Sequence, residues 1–172
     1  IEGNDVHHNG AEGIQNTETF EVPYPDGTII RGNRVHDNGG SWGGGMDLGG
    51  DNLVVENNIV YNNGGNVGGI WFSHTKNGVV RNNVVYNNRG SDSSNAAGIH
   101  VNDGSNAKVY NNTVYGNRGY GVYMNNTQGS AKNNILSQNG NQLRLSGSSS
   151  ADHNLIDGGS DSRGDSAVQG NP

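Results

Sequence analysis

Apolar residues in this chain fall at fixed offsets from a repeated asparagine. The clearest copies are Asn57-Asn58-Ile59-Val60-Tyr61, Asn82-Asn83-Val84-Val85-Tyr86 and Asn111-Asn112-Thr113-Val114-Tyr115. Weaker copies centre on Asn4, Asn33, Asn134 and Asn154, and the seven markers are spaced by 29, 25, 25, 29, 22 and 20 residues. Val55, Val80, Val109, Ala131 and Ala151 stand three positions before the marker; Val6, Val35, Val60, Val85, Val114, Leu136 and Ile156 stand two after it. Strand side chains alternate between faces, so this spacing predicts two short strands that aim at one interior across an asparagine corner.

A further strand follows a Gly-rich turn in each copy. Ile14, Met46, Ile70, Ile99, Val122 and Leu143 line up there, with Leu48, Phe72, Val101, Met124 and Leu145 two residues later on the same face. A period of 20–29 residues with three short strands per turn predicts an all-β solenoid. The expected form is a single-stranded, right-handed parallel β-helix of six to seven coils, the hand following the bias of parallel crossovers. Stacked asparagines can bond their copies above and below. Ladders are therefore expected along Asn33, Asn58, Asn83, Asn112 and Asn134, and along Asn38, Asn63, Asn88, Asn117 and Asn139. Tyr61, Tyr86 and Tyr115 are expected to stack in an outward column.

The departures from the period mark loops. An insertion over 16–28 should protrude, 89–95 is a shorter excursion, and 158–172 reads as an irregular tail on a single domain spanning 1–172. The chain opens inside a repeat and shows no leader, which predicts a piece cut from a longer β-helix, with its own missing remainder as a partner.

Composition adjusts this picture in a few places. Only 30% of residues are hydrophobic, a level that would permit disorder. A coil needs few inward side chains, however, because its neighbours complete the burial. The net charge of −6 argues against a nucleic-acid partner. No apolar run is long enough to span a membrane, and cysteine is absent, which excludes disulfides and thiolate metal sites. Low lysine with abundant Gly, Asn and Ser suits a secreted or cell-surface protein.

The repeats resemble the parallel β-helix coils of the pectate-lyase-like superfamily, over roughly Gly3 to Asp157. That group includes polysaccharide lyases, epimerases, some glycoside hydrolases and phage tailspikes. The D-P-H-E signature of its mannuronan epimerases is missing here, as is any pectate-lyase catalytic motif, so the resemblance transfers no catalytic residue.

Chemistry must then come from outward positions. The residue after each inward Ile, Val or Met forms the column Gln15, Asp47, Trp71, His100, Tyr123, Arg144. Cleaving a uronic-acid chain by proton abstraction needs a base, an acid and a clamp for the carboxylate. His100 and Tyr123 are the candidate base and acid and Arg144 the clamp, a catalytic trio. Trp71 could stack on a sugar, with Asp47, His74 and Lys76 as further substrate contacts. Asp47 with Asp51 is a weak calcium candidate, without a D-x-D-x-D-G loop; no other cofactor is expected. Two other readings stand beside a lyase or C5-epimerase acting on an acidic polysaccharide. One is a non-catalytic carbohydrate-binding or adhesion module, the other a structural segment of a larger surface protein.

Overall fold

The computed structural model describes residues 1–16, 25–39 and 44–157, together with the backbone of Val168–Gln169. The described strands coil as a parallel solenoid with three faces per turn, and every strand pairing is parallel. The first face runs from Asp5–His7 through Arg34–His36, Ile59–Tyr61, Val84–Tyr86, Thr113–Tyr115 and Ile135–Ser137 to Leu155–Asp157. The second stacks Ile14–Asn16, Gly44–Gly49, Gly68–Ser73, Ala97–Asn102, the first half of Tyr120–Lys132, and Asn141–Gly147. The third stacks Ile29–Arg31, Val54–Glu56, Val79–Arg81, Ser105–Tyr110, the second half of Tyr120–Lys132, and Ser150–Asp152. Tyr120–Lys132 runs as one continuous strand, and it turns from the second face to the third at Asn126, whose backbone is left-handed (φ 46°) where the register shifts.

The core is a filled column. Val35, Val60, Val85, Val114 and Leu136 from the first face meet Met46, Ile70, Ile99, Val122 and Leu143 from the second. Ile30, Val55, Val80, Val109 and Ala131 close the third side, and all of these are buried. Gly69 sits where neighbouring backbones approach closely: a Cβ there would run into the Gly98 carbonyl.

Both expected ladders are present, and each begins one coil earlier than expected. Asn4, Asn33, Asn58, Asn83, Asn112 and Asn134 each pass an Nδ2–H to the Oδ1 of the next, ending at Asn154, at 2.9–3.1 Å. The second ladder runs from Asn9 through Asn38, Asn63, Asn88 and Asn117 to Asn139. Within each Asn-Asn pair the labour is divided. The ladder residue is buried, while the residue before it (Asn57, Asn82, Asn111, Asn133) takes the left-handed backbone that turns the corner, with φ near 56°. Asparagine tolerates that conformation better than most residues.

The tyrosine column forms as expected, with Tyr61–Tyr86 and Tyr86–Tyr115 rings stacked at 4.9 and 5.0 Å. His36 and His7 extend it. In the expected irregular tail, Val168–Gln169 instead pairs with Leu155–Ile156 and adds an eighth strand to the first face. Of the expected protruding insertion, 17–24 lies outside the described residues, as do 158–167 of the tail.

Candidate functional site

The column read from the sequence exists in register on the second face. Gln15 pairs with Asp47, Asp47 with Trp71, Trp71 with His100, His100 with Tyr123, and Tyr123 with Arg144. The last four form one stack. The Trp71 and His100 rings lie 6.2 Å apart, and His100 and Tyr123 lie 4.6 Å apart and 15° from parallel. The Arg144 guanidinium caps the stack 4.8 Å above Tyr123, and its Nη1 donates to the Tyr120 hydroxyl at 2.9 Å. Such cation–π contacts add stability when desolvated.

Although the column points outward, its centre is not exposed. His100 is 1% accessible and Tyr123 5%, whereas Trp71 and Asp47 are half-buried and Arg144 is exposed. The cover over His100 is the 89–96 excursion. Asp92 organises that segment by accepting bonds from the Ser94 amide at 2.7 Å and the Asn95 side chain at 2.8 Å. The same bonds hold the Asp92 carboxyl below the usual carboxylate range. The Asn95 carbonyl thereby comes to lie over the imidazole, and His100 Nδ1 donates to it at 3.1 Å. A carbonyl can only accept, so Nδ1 carries the proton and Nε2 the lone pair. That Nε2, like the indole Nε1 of Trp71, is buried with no hydrogen-bond partner. Burial lowers the His100 pKa to about 4, against the weaker opposing pull of the Asn95 carbonyl and of Asp92 and Asp103.

The other members are placed as follows. The Tyr123 hydroxyl donates to Asn125 Oδ1 at 2.9 Å, and Asn125 in turn donates to Asn102 at 2.7 Å. The Asp47 carboxyl is pushed up by burial and by nearby Glu12, with a bond from Gln15 acting the other way. His74 and Lys76 do not share the column. Both lie past the corner that ends the strand Gly68–Ser73, with His74 in a left-handed conformation facing Asp103 at 3.9 Å. Lys76 Nζ lies 3.9 Å from Asp51, whose other oxygen accepts the Lys76 backbone N–H at 3.0 Å. Asp51 is thus tied to the corner while Asp47 sits within a strand. Among the described residues no three His, Asp or Glu side chains gather as a metal group. Calcium takes six to eight oxygens, and the Asp47–Asp51 pair does not fit it.

The sequence reading missed a cavity of about 240 Å³ beside the stack. It opens between the 90–96 excursion and the segment Arg118–Tyr120, with Asn141 at its edge. Tyr120 links the two features, because its ring lies 5.1 Å from that of Tyr123 and its hydroxyl holds Arg144. The signal was present in the 29-residue step between Asn83 and Asn112, which gives that coil four residues more than the one before.

A three-faced parallel solenoid with two asparagine ladders defines a class of coiled β proteins. The family described as "Right handed beta helix region" matches residues 1–130 and 91–171, and the chain belongs to it. No curated protein and no solved structure gives a significant match.

Proposed function

We propose that the protein is a carbohydrate-binding β-helix module that acts on the outside of the cell and holds a polysaccharide at the cavity beside the ring stack. The observation that carries this reading is the make-up of that cavity. Tyr120 supplies a half-exposed aromatic wall, Arg118 a donor, Asp92 an ionised acceptor, and Ser91 and Ser93 hydroxyls, around a space of about 240 Å³. An apolar wall with a few convergent polar groups is the usual composition of a small-molecule site, and this one suits a single sugar ring of a longer chain. Trp71 and Arg144, half-buried and exposed on the same face, can extend contact to neighbouring sugars.

Binding is favoured over cleavage or C5 inversion by the state of the candidate base and acid. A general base has to come within hydrogen-bond reach of the proton it removes. His100 lies beneath the excursion with one nitrogen committed to Asn95, and Tyr123 is committed to Asn125. Acidic polysaccharides remain the favoured class, since Arg118 and Arg144 flank the site. The test is a panel of neutral and acidic polysaccharides scored for both retention and new unsaturated chain ends. Retention without turnover is expected, weakened at least tenfold in Tyr120→Ala and in Arg118→Ala and less in Trp71→Ala. Unsaturated product that disappears in His100→Ala would replace this reading with the lyase. Retention of no polysaccharide at all would remove both.

A further inference from the structure

The outer side of the third face carries a second feature, remote in the coil from the cavity. Its two outward columns are Val54, Val79, Lys108, Ser130, Ser150 and Glu56, Arg81, Tyr110, Lys132, Asp152. Toward the N-terminal coils the charges cancel: Arg31 meets Glu2 at 2.9 Å, and Arg81 meets Glu56 at 2.6 Å. Further along they do not. A shallow depression of about 340 Å³ opens among Lys108, Tyr110, Ser130, Lys132 and Asn133.

Each of these five side chains can donate a hydrogen bond, and none is a carboxylate. That is a local reversal in a chain with 16 acidic and 10 basic residues. Among the described residues, neither Lys108 nor Lys132 forms an ion pair. The acid in register with Lys132 is Asp152, whose Oδ1 already faces His153 Nδ1 at 2.8 Å. The Tyr110 oxygen accepts from Arg81 Nη1 at 3.0 Å, which leaves its O–H to donate outward. Lys108 is in register with Ser130, two residues before Lys132, so the two lysines stand diagonally on adjacent strands. That places their Cα atoms roughly 8 Å apart, and four-carbon stems let both ammonium groups close on one group between them.

The donor chemistry selects the ligand. Planar carboxylates are best gripped by a free guanidinium fork, whereas lysine acts as a compact point charge. Arg81, the guanidinium nearest this depression in register, is already engaged by Glu56 and Tyr110. We infer that this depression binds a tetrahedral oxyanion, a sulfate or phosphate group, either free or esterified on a polymer.

The intact protein is titrated calorimetrically, at low salt, with inorganic sulfate, inorganic phosphate, dextran sulfate and neutral dextran. The expected result is saturable binding of oxyanion and none of neutral dextran. Affinity falls at least tenfold in Lys108→Gln/Lys132→Gln and is unchanged in Arg31→Gln/Arg34→Gln, which removes the same charge elsewhere. Binding of the inorganic ions assigns the site to a free anion; binding of dextran sulfate alone assigns it to an ester on a chain. No binding, or equal losses in the two double variants, overturns the inference. The same titrations are repeated in the Arg118→Ala/Tyr120→Ala background, where the sugar cavity is impaired; oxyanion binding that persists there and is lost on adding Lys108→Gln/Lys132→Gln stands or falls separately from that cavity.

Discussion

Acidification should weaken the fold through one residue, His100, and the size of the effect follows from its burial. In the unfolded chain the imidazole titrates near its ordinary value of 6.5, whereas in the folded protein it titrates at about 4. Between those values the unfolded state binds the extra proton, so stability rises with pH across that window and is lost as pH falls. Integrated from pH 7.5 to pH 4, the gap corresponds to about 3 kcal/mol. The protein's carboxylates titrate in part of the same range, so the measurement has to be differential. His100→Phe keeps a ring between Trp71 and Tyr123 and removes the titrating nitrogens. Its lost bond to Asn95 costs the same at every pH. Urea unfolding of both proteins at several pH values should show the wild type losing about 3 kcal/mol more than the variant by pH 4. Parallel stability curves for the two proteins, or an imidazole resonance titrating near 6.5 in the folded state, would refute the buried, neutral His100.

Other perturbations test separate parts of the fold. Asn83→Ala removes bonds to Val55 and Asn112 and strips the Asn58 amide of its acceptor. It should cost roughly 2–5 kcal/mol in urea unfolding, against well under half that for Asn4→Ala at the partly exposed start of the ladder. Gly69→Ala drives a Cβ into the Gly98 carbonyl and should destabilise by about 3 kcal/mol or leave the protein insoluble. Gly10→Ala, with nothing within 4 Å, should be close to neutral in the same assay. Asp47→Asn should raise the melting temperature at pH 7, because burial penalises the ionised carboxylate. That gain should fade as pH falls from the raised folded value toward 3.8 and be absent below it, where the wild-type side chain is protonated in both states.

The architecture was legible because a solenoid repeats its constraints. Each Asn58-type residue sits at the same offset from an inward valine, so one deduction about faces and corners held for every coil. Register came with it, and placed His100 beside Tyr123 although 23 residues separate them. Accessibility was not legible. Alternation assigns a side chain to the outer side of a strand, but it cannot tell whether another segment lands on top. His100 is buried because Asp92 folds the excursion so that the Asn95 carbonyl meets the ring, a contact outside the repeat. His74 and Lys76 follow the Trp71 strand without sharing its column. The strand ends at Ser73 and the left-handed His74 turns the chain away, a bend that no glycine announces. The cavity at Arg118–Tyr120 is likewise made by two coils of unequal length, and no single copy of the motif contains it.

The asparagine rows have a sense of direction. From Asn4 to Asn154, and from Asn9 to Asn139, every amide-to-amide bond runs from Nδ2 to the Oδ1 of the later coil, while a second N–H of the inner members reaches back to a backbone carbonyl of the coil before. Aligned amide dipoles add rather than cancel, as they do along a helix axis. Each ladder is therefore electrically polar along its length. Any coil spliced into it must arrive oxygen-first, and two such rods can continue one another nose to tail but not nose to nose.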